Sequence, residues 1–286
     1  MTSEPYPGTD SILKRQVDIM EALAEYVSFV ATPRQVAEFE LDATRLHPTL
    51  LRDSILEATI TKHSSTRHAT EQRRLIHSIY ARKTKEMAAL YPLIFSTENA
   101  YRAALTNHYH SYFGAEDWWK KLEAWYLKEG LRGQRLEFIN GKRLGVKFAT
   151  TLLRVFDKLA ADPDNFTSLR RQENKGRFFY HLAFGQLSFF FDDDWSNASS
   201  IFSNQIVLGQ RISKTSTLEN LEKVRLVRNE VFHSNPVKNT SNFVRAAEAL
   251  LLALDLNLGR FDQDLRSAQY QRPNFGDTAT GNIPPL

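Results

Sequence analysis

Arg228 and His233 are the two residues of this chain whose types and spacing best fit a chemical role. They stand in the stretch Val227-Arg228-Asn229-Glu230-Val231-Phe232-His233, followed by Ser234-Asn235-Pro236. Histidine exchanges protons near neutral pH. Arginine is a permanent cation whose planar fork fits a phosphate. Asn229 adds an amide able to orient a phosphate or an imidazole. Such a set can cleave RNA without a metal ion.

A helix over 216–233 must hold these groups. Leu221, Val224, Val227 and Val231 recur at intervals of three and four and form its apolar stripe. Arg228 lies in or beside that stripe, so it needs a carboxylate, a bound anion or an interface. His233 is five positions on, about 140° around an ideal helix. The chemistry therefore requires the last turn to unwind, a tendency Pro236 promotes by biasing Asn235 away from helical angles. A plainer role is open to both residues. Arg228 can pair with an acid of a neighbouring helix, and His233 can sit as a cation at a helix C-terminus. Near-repeats of the spacing occur at Arg102 to His108 and Arg177 to His181.

The rest of the chain predicts an all-α protein. It has 286 residues, is 42% hydrophobic and 12% aromatic, and has only 12 glycines and 10 prolines, most of them between long periodic segments. Its formal net charge of +4 is compatible with nucleic acid. There is no cysteine, which excludes disulfides and thiolate metal sites. The polar N-terminus leads us to expect no signal peptide, and the most apolar run, 178–191, is too short to span a bilayer. A soluble, cytoplasmic protein is expected.

Helices are expected over 11–30, from Thr32-Pro33 to Leu46, and from His47-Pro48 to Thr61. A further helix runs from Ser65 or Thr66 to Leu90, where Pro92 interrupts. Ser96-Thr97-Glu98 then caps another that stops at Gly114. Asp117–Lys128 follows, ended by Gly130, and then Gly141–Ala160. After a loop over 161–165 come helices at 176–192, 195–209, 216–233 and 241–262. Three regions result: an N-terminal helical region (1–90), a larger helical domain (91–265), and a loosely docked or disordered tail (266–286).

Residues 62–85 are strongly basic, with Lys62, Arg67, Arg73, Arg74, Arg82, Lys83 and Lys85 against Glu71 alone. This reads as a solvated helix face or, with Arg73, Arg74, Arg82 and Lys83, as an RNA-binding track along phosphates. Asp192-Asp193-Asp194 suits a helix start better than a metal site, and no metal or cofactor is expected. Trp118, Trp119, Trp125 and Tyr126 suit core packing better than base stacking. No Walker A, dinucleotide-binding or serine-hydrolase motif is present.

Leu226 to His233 resembles the R-x(4–6)-H signature of HEPN domains, with a polar residue after the arginine. Two further segments resemble the Abi-like, abortive-infection branch of that superfamily. One is Glu98-Asn99-Ala100-Tyr101-Arg102, continuing through His108-Tyr109 to Tyr112-Phe113-Gly114. The other is Leu182-Ala183-Phe184-Gly185-Gln186-Leu187-Ser188. Where that family often has a second histidine or an aromatic after the signature histidine, this chain has Ser234 and Asn235. The resemblance covers roughly 91–262. It implies an antiparallel helical bundle that dimerises through the Arg228/His233 helix and cleaves RNA without metal. Arg228, His233 and Asn229 would be catalytic, with Glu98 and Arg102 supporting them from behind. It also implies a role in antiphage defence or as a toxin, with a neutralising or regulatory partner. The alternatives are a non-catalytic HEPN-like module that binds RNA or a protein, and an interaction protein in which the motif is structural.

Overall fold

The computed structural model describes residues 19, 21–24, 32–61, 69–131, 136–171, 177–237 and 239–257. The fold is all-α, with only short antiparallel strand pairs beside the helices. The tail expected at 266–286 and nearly all of the helix expected at 11–30 lie outside the described residues.

The chain divides into two compact units. Among the described residues, the first comprises those up to Tyr91 together with 229–237, and the second comprises Pro92–Arg228 and 239–257.

In the first unit, α1 (Pro33–Arg45) starts where local chemistry demands. Thr32 accepts from the Gln35 amide, the Gln35 side chain accepts from the Thr32 N–H, and Pro33 occupies the first helical position. α2 covers Pro48–Thr61, again opened by a proline. The core gathers Ile19, Leu23, Phe39, Leu51, Ile55, Ile76 and Ile79, with Tyr80 packed against it. The Tyr80 hydroxyl accepts from the His47 N–H at 3.2 Å, tying the α1–α2 turn to the next helix.

That next helix, α3 (Ala69–Phe113), corrects the expected break at Pro92, because it runs through the proline. An interior proline costs about 3 kcal/mol. Burial on both sides offsets this: Leu90 in the first unit, and Leu93, Ile94 and Thr97 in the second, are 1% exposed or less. Nor does Thr97 start a new helix. Its hydroxyl donates to Leu93 O at 2.8 Å, inside the helix.

The second unit is built on aromatic packing. Tyr109 of α3 lies 5.5–5.8 Å, centroid to centroid, from Phe113, Phe148, Phe179 and Phe190. Trp118 and Trp119 are 1% exposed, so the tryptophan cluster contributes to the core. α3 ends before Gly114, and α4 (Trp119–Glu129) ends at Gly130, as their glycines predict.

The expected helix from Gly141 instead begins with a hairpin, β1 (Phe138–Ile139) with β2 (Lys142–Arg143), and only then α5 (Val146–Ala160). Asn140 and Gly141 both take positive φ, 46° and 77°, in the two-residue turn that suits twisted strands. The Asn140 side chain donates to Phe113 O at 3.1 Å, satisfying a carbonyl at the end of α3. The loop expected at 161–165 is largely α6 (Pro163–Arg170), capped by Asp162 with proline at its first position.

The helix expected at 176–192 splits into a 3-10 turn (Phe178–His181) and α7 (Phe184–Asp193), with Leu182 and Ala183 extended between them. The helix expected at 195–209 shrinks to α8 (Trp195–Ala198) and a 3-10 turn (Ser199–Ile201), followed by the β3–β4 hairpin (Ile206–Val207, Gln210–Arg211). The chain leaves the helix because Asn204 serves the end of α10. Its N–H donates to Ala253 O and its side chain to Leu252 O, at 3.2 and 2.7 Å.

α9 is Lys214–Phe232 and α10 is Thr240–Ala253. α10 stops well short of 262 because Asp255 turns left-handed, at φ 59°. The N–H groups of Asp255 and Leu256 then close onto Leu252 O and Leu251 O.

Candidate functional site

Arg228 is brought to an acid by the apolar face of α9. Leu221, Val224 and Val227 are buried in the second unit, which leaves Arg228 about one-third exposed with its Nε 3.6 Å from Glu98 Oε2. Glu98 is 7% exposed on α3. Its other oxygen, Oε1, lies 2.7 Å from Arg102 Nη2, one helical turn on. The same Arg102 nitrogen donates to Leu182 O at 2.8 Å. A carboxylate this buried requires cations beside it, and here one carboxylate serves two guanidiniums. The Arg228 spacing is that of an ion pair and not of a hydrogen bond.

The Leu182 segment is shaped to meet these arginines. Ala183 is extended, and the Gln186 side chain accepts from its N–H at 2.7 Å, which starts α7. Gly185 follows, and a Cβ there would fall 2.9 Å from Arg225 Cδ of α9, so a larger residue would have to push the Arg225 side chain aside. Arg225 is itself held by both oxygens of Glu222, at 2.7 and 2.6 Å. Three segments distant in sequence thus meet within one unit: Glu98–Arg102, Leu182–Gly185 and Arg225–Arg228.

His181 is the residue that sequence reasoning missed. It ends the 3-10 turn next to Leu182. Its Nδ1 lies 2.6 Å from Asn165 Oδ1, and the Asn165 amide donates to His181 O at 3.0 Å. Burial pushes the imidazole below its ordinary pKa, and the charges of Arg102 and Arg177 push it the same way. The available signal was Asp162-Pro163, a cap followed by a first-position proline, which places Asn165 on a helix instead of a loop.

Asn229 and His233 fall in the other unit, at the end of α9. The last turn does not unwind as the chemistry required. The His233 N–H still reaches Asn229 O at 3.0 Å. Beyond it the chain closes in a Schellman cap, with Asn235 N–H to Glu230 O at 2.8 Å and Ser234 N–H to Val231 O at 3.1 Å. Ser234 takes a φ of 52°, where glycine is usual. His233 is exposed at this cap.

The basic track is partly neutralised by acids of α1 and α2. Arg73 donates to both oxygens of Asp42, at 2.7 and 2.8 Å, and also meets Glu38. Arg82 pairs with Glu57 and Glu86, and Lys83 with Asp53 and Glu57. Arg74 is exposed, and Lys62 and Arg67 lie outside the described residues.

The three consecutive aspartates diverge. Asp192 meets Lys214, Asp193 accepts from Thr151, and Asp194 accepts from Tyr109 and Asn197. No group of three or more metal-ligating side chains occurs among the described residues, and no helix there is long and apolar enough to cross a membrane. No family model, curated protein or solved structure matches the chain.

Proposed function

We propose that this chain is an Abi-like, HEPN-type endoribonuclease that cuts RNA without a metal ion and acts in the cytoplasm in antiphage defence or as a toxin. The observation that carries this reading is the meeting of Glu98, Arg102 and Arg228. Glu98 steadies Arg228, and Arg102 adds positive field, so a phosphodiester binds where charge will develop. His233 moves the proton of the ribose 2′-hydroxyl, and Asn229 orients the phosphate or the imidazole. The 2′-oxygen attacks phosphorus and the 5′-oxygen leaves, giving a 2′,3′-cyclic phosphate and a 5′-hydroxyl. Two copies of α9 meet in a homodimer and present two such sets to one RNA, and a neutralising or regulatory partner restrains the activity.

The test is cleavage of total RNA and of a tRNA pool by purified protein in EDTA. Wild type cuts and leaves cyclic-phosphate ends, while Arg228→Ala and His233→Ala stay folded and do not cut. Full activity in both variants overturns the assignment.

A second reading is a non-catalytic HEPN-like module that binds RNA or a protein partner. The regularity of α9 up to His233 favours it, because five positions on a regular helix are about 140° apart. RNA binding that depends on Arg228, with no cutting by any form, is its signature.

A further inference from the structure

Cutting RNA by 2′-hydroxyl attack requires two proton transfers. One proton leaves the 2′-hydroxyl as the 2′-O–P bond forms. Another reaches the 5′-oxygen as that atom departs with the electron pair of the P–O5′ bond. The ribonuclease reading supplies one histidine, His233. The unit that holds Arg228 contains another, built as an acid–base group.

His181 has its tautomer set from one side. Asn165 uses its own N–H donors and carbonyl distinctly: the amide nitrogen donates to His181 O at 3.0 Å, which leaves Oδ1, at 2.6 Å, to accept from the ring. Nδ1 therefore carries the hydrogen, and Nε2 carries the lone pair. Among the described residues Nε2 has no hydrogen-bond partner. The ring sits in a positive field. Arg102 on α3 and Arg177 at the start of the 3-10 turn both act on it. Leu182, the next residue, is bonded to Arg102, which shares Glu98 with Arg228. Asn165 of α6 faces the ring from the remaining side. Holding the imidazole below its ordinary pKa favours the unprotonated ring, the form a base must have when substrate arrives.

The geometry points to His181 as the general base of the site, its Nε2 accepting the ribose 2′-hydroxyl proton while Arg228 and Arg102 hold the phosphate. This rests on the ribonuclease reading and changes one role in it: the base is His181 and not His233.

The experiment compares RNA with uridine 3′-(4-nitrophenyl phosphate), both in EDTA. Nitrophenolate leaves without being protonated, so this ester needs the base and not the acid. His181→Asn is expected to lose at least about 100-fold on both substrates, the scale of a positioned base, with its melting temperature kept. Full activity of His181→Asn on both substrates overturns the proposal. If His233→Ala is then dead on both, the ribonuclease reading stands with His233 as its base. Wild-type protein that cuts neither substrate overturns the ribonuclease reading and this proposal together. Should His181→Asn fail to fold, the His181 Cε1–H resonance of wild type decides. A shift on adding inorganic phosphate supports the assignment, and an unmoved resonance overturns it.

Discussion

Both units bury a carboxylate among cations, and the two clusters are built to opposite ends. In the first unit Asp42 receives both prongs of Arg73 and, from the other side, His77 Nε2 at 2.9 Å, with Glu38 also on Arg73. Two acids meet two arginines, since Glu38 also pairs with Arg34. In the second unit one acid, Glu98, is divided between Arg102 at 2.7 Å and Arg228 at 3.6 Å. The first arrangement is a fastening, with its charge closed internally. The second divides one buried carboxylate between two guanidiniums. The number of arginines in a stretch of sequence therefore says little about anion binding. The acids that other helices bring to them decide it.

The sharpest way to break this contrast is to remove one arginine from each cluster. Arg228→Ala is expected to lower RNA cleavage by 100-fold or more while leaving the melting temperature nearly unchanged. Arg73→Ala should leave cleavage intact and cost about 2 kcal/mol, because Asp42 keeps only His77. Cleavage assays and thermal denaturation on the same preparations read both. A loss of activity in Arg73→Ala would erase the distinction.

Acid provides a second, smaller contrast. Burial alone would raise the Asp42 carboxyl, but hydrogen bonds from Arg73 and His77 bring it below the ordinary value of 3.8. The unfolded chain then binds the proton more readily than the folded one. The Asp42 contribution is therefore complete above about pH 4 and fades as pH falls through the depressed folded value. Stability measured by denaturant from pH 6 to pH 2.5 should fall more gently in Asp42→Asn than in wild type.

His181 contributes in a higher window. Its imidazole is held below the ordinary 6.5 by burial and by Arg102 and Arg177. Protonation therefore favours the unfolded chain, and stability falls as pH drops below about 6.5. The same titration in His181→Asn should lack this component between pH 7 and 5. Phosphate should weaken it in wild type, because a bound anion favours the protonated ring.

The smallest effect concerns the basic helix. Lys83 and Arg82 already face Glu57, with Asp53 and Glu86 beside them. Replacing Arg82 or Lys83 by Ala should therefore leave the salt dependence of RNA binding within experimental scatter. Arg74→Ala, at an exposed position, should reduce the slope of log K against log salt by at most about 1. Fluorescence anisotropy with a labelled RNA at several salt concentrations measures this. A large change at Lys83 would show that its ion pairs open to receive phosphate.

What the sequence determined by itself is the set of features fixed within a few residues. Thr32-Pro33 and His47-Pro48 open helices, and Gly114 and Gly130 close them, because caps and left-handed stops act on the adjacent backbone. The all-α class follows in the same way from periodicity, and so does the apolar stripe that makes Arg228 conspicuous. Asp162-Pro163 and Asn140-Gly141 carried equally local signals, for a helix start and a hairpin, and were legible though passed over.

The tertiary structure decided the rest, because burial energies and charges act between segments the sequence does not order in space. Flanking burial carries α3 through Pro92, against a local rule worth about 3 kcal/mol. Contacts to Arg102 and Asn165 hold an extended break where apolar residues alone read as one helix. Acids from α1 and α2 close the charge of a helix that reads as basic in isolation. The shared carboxylate of Glu98 and the fixed tautomer of His181 are of the same kind, since each depends on a partner delivered by a different helix.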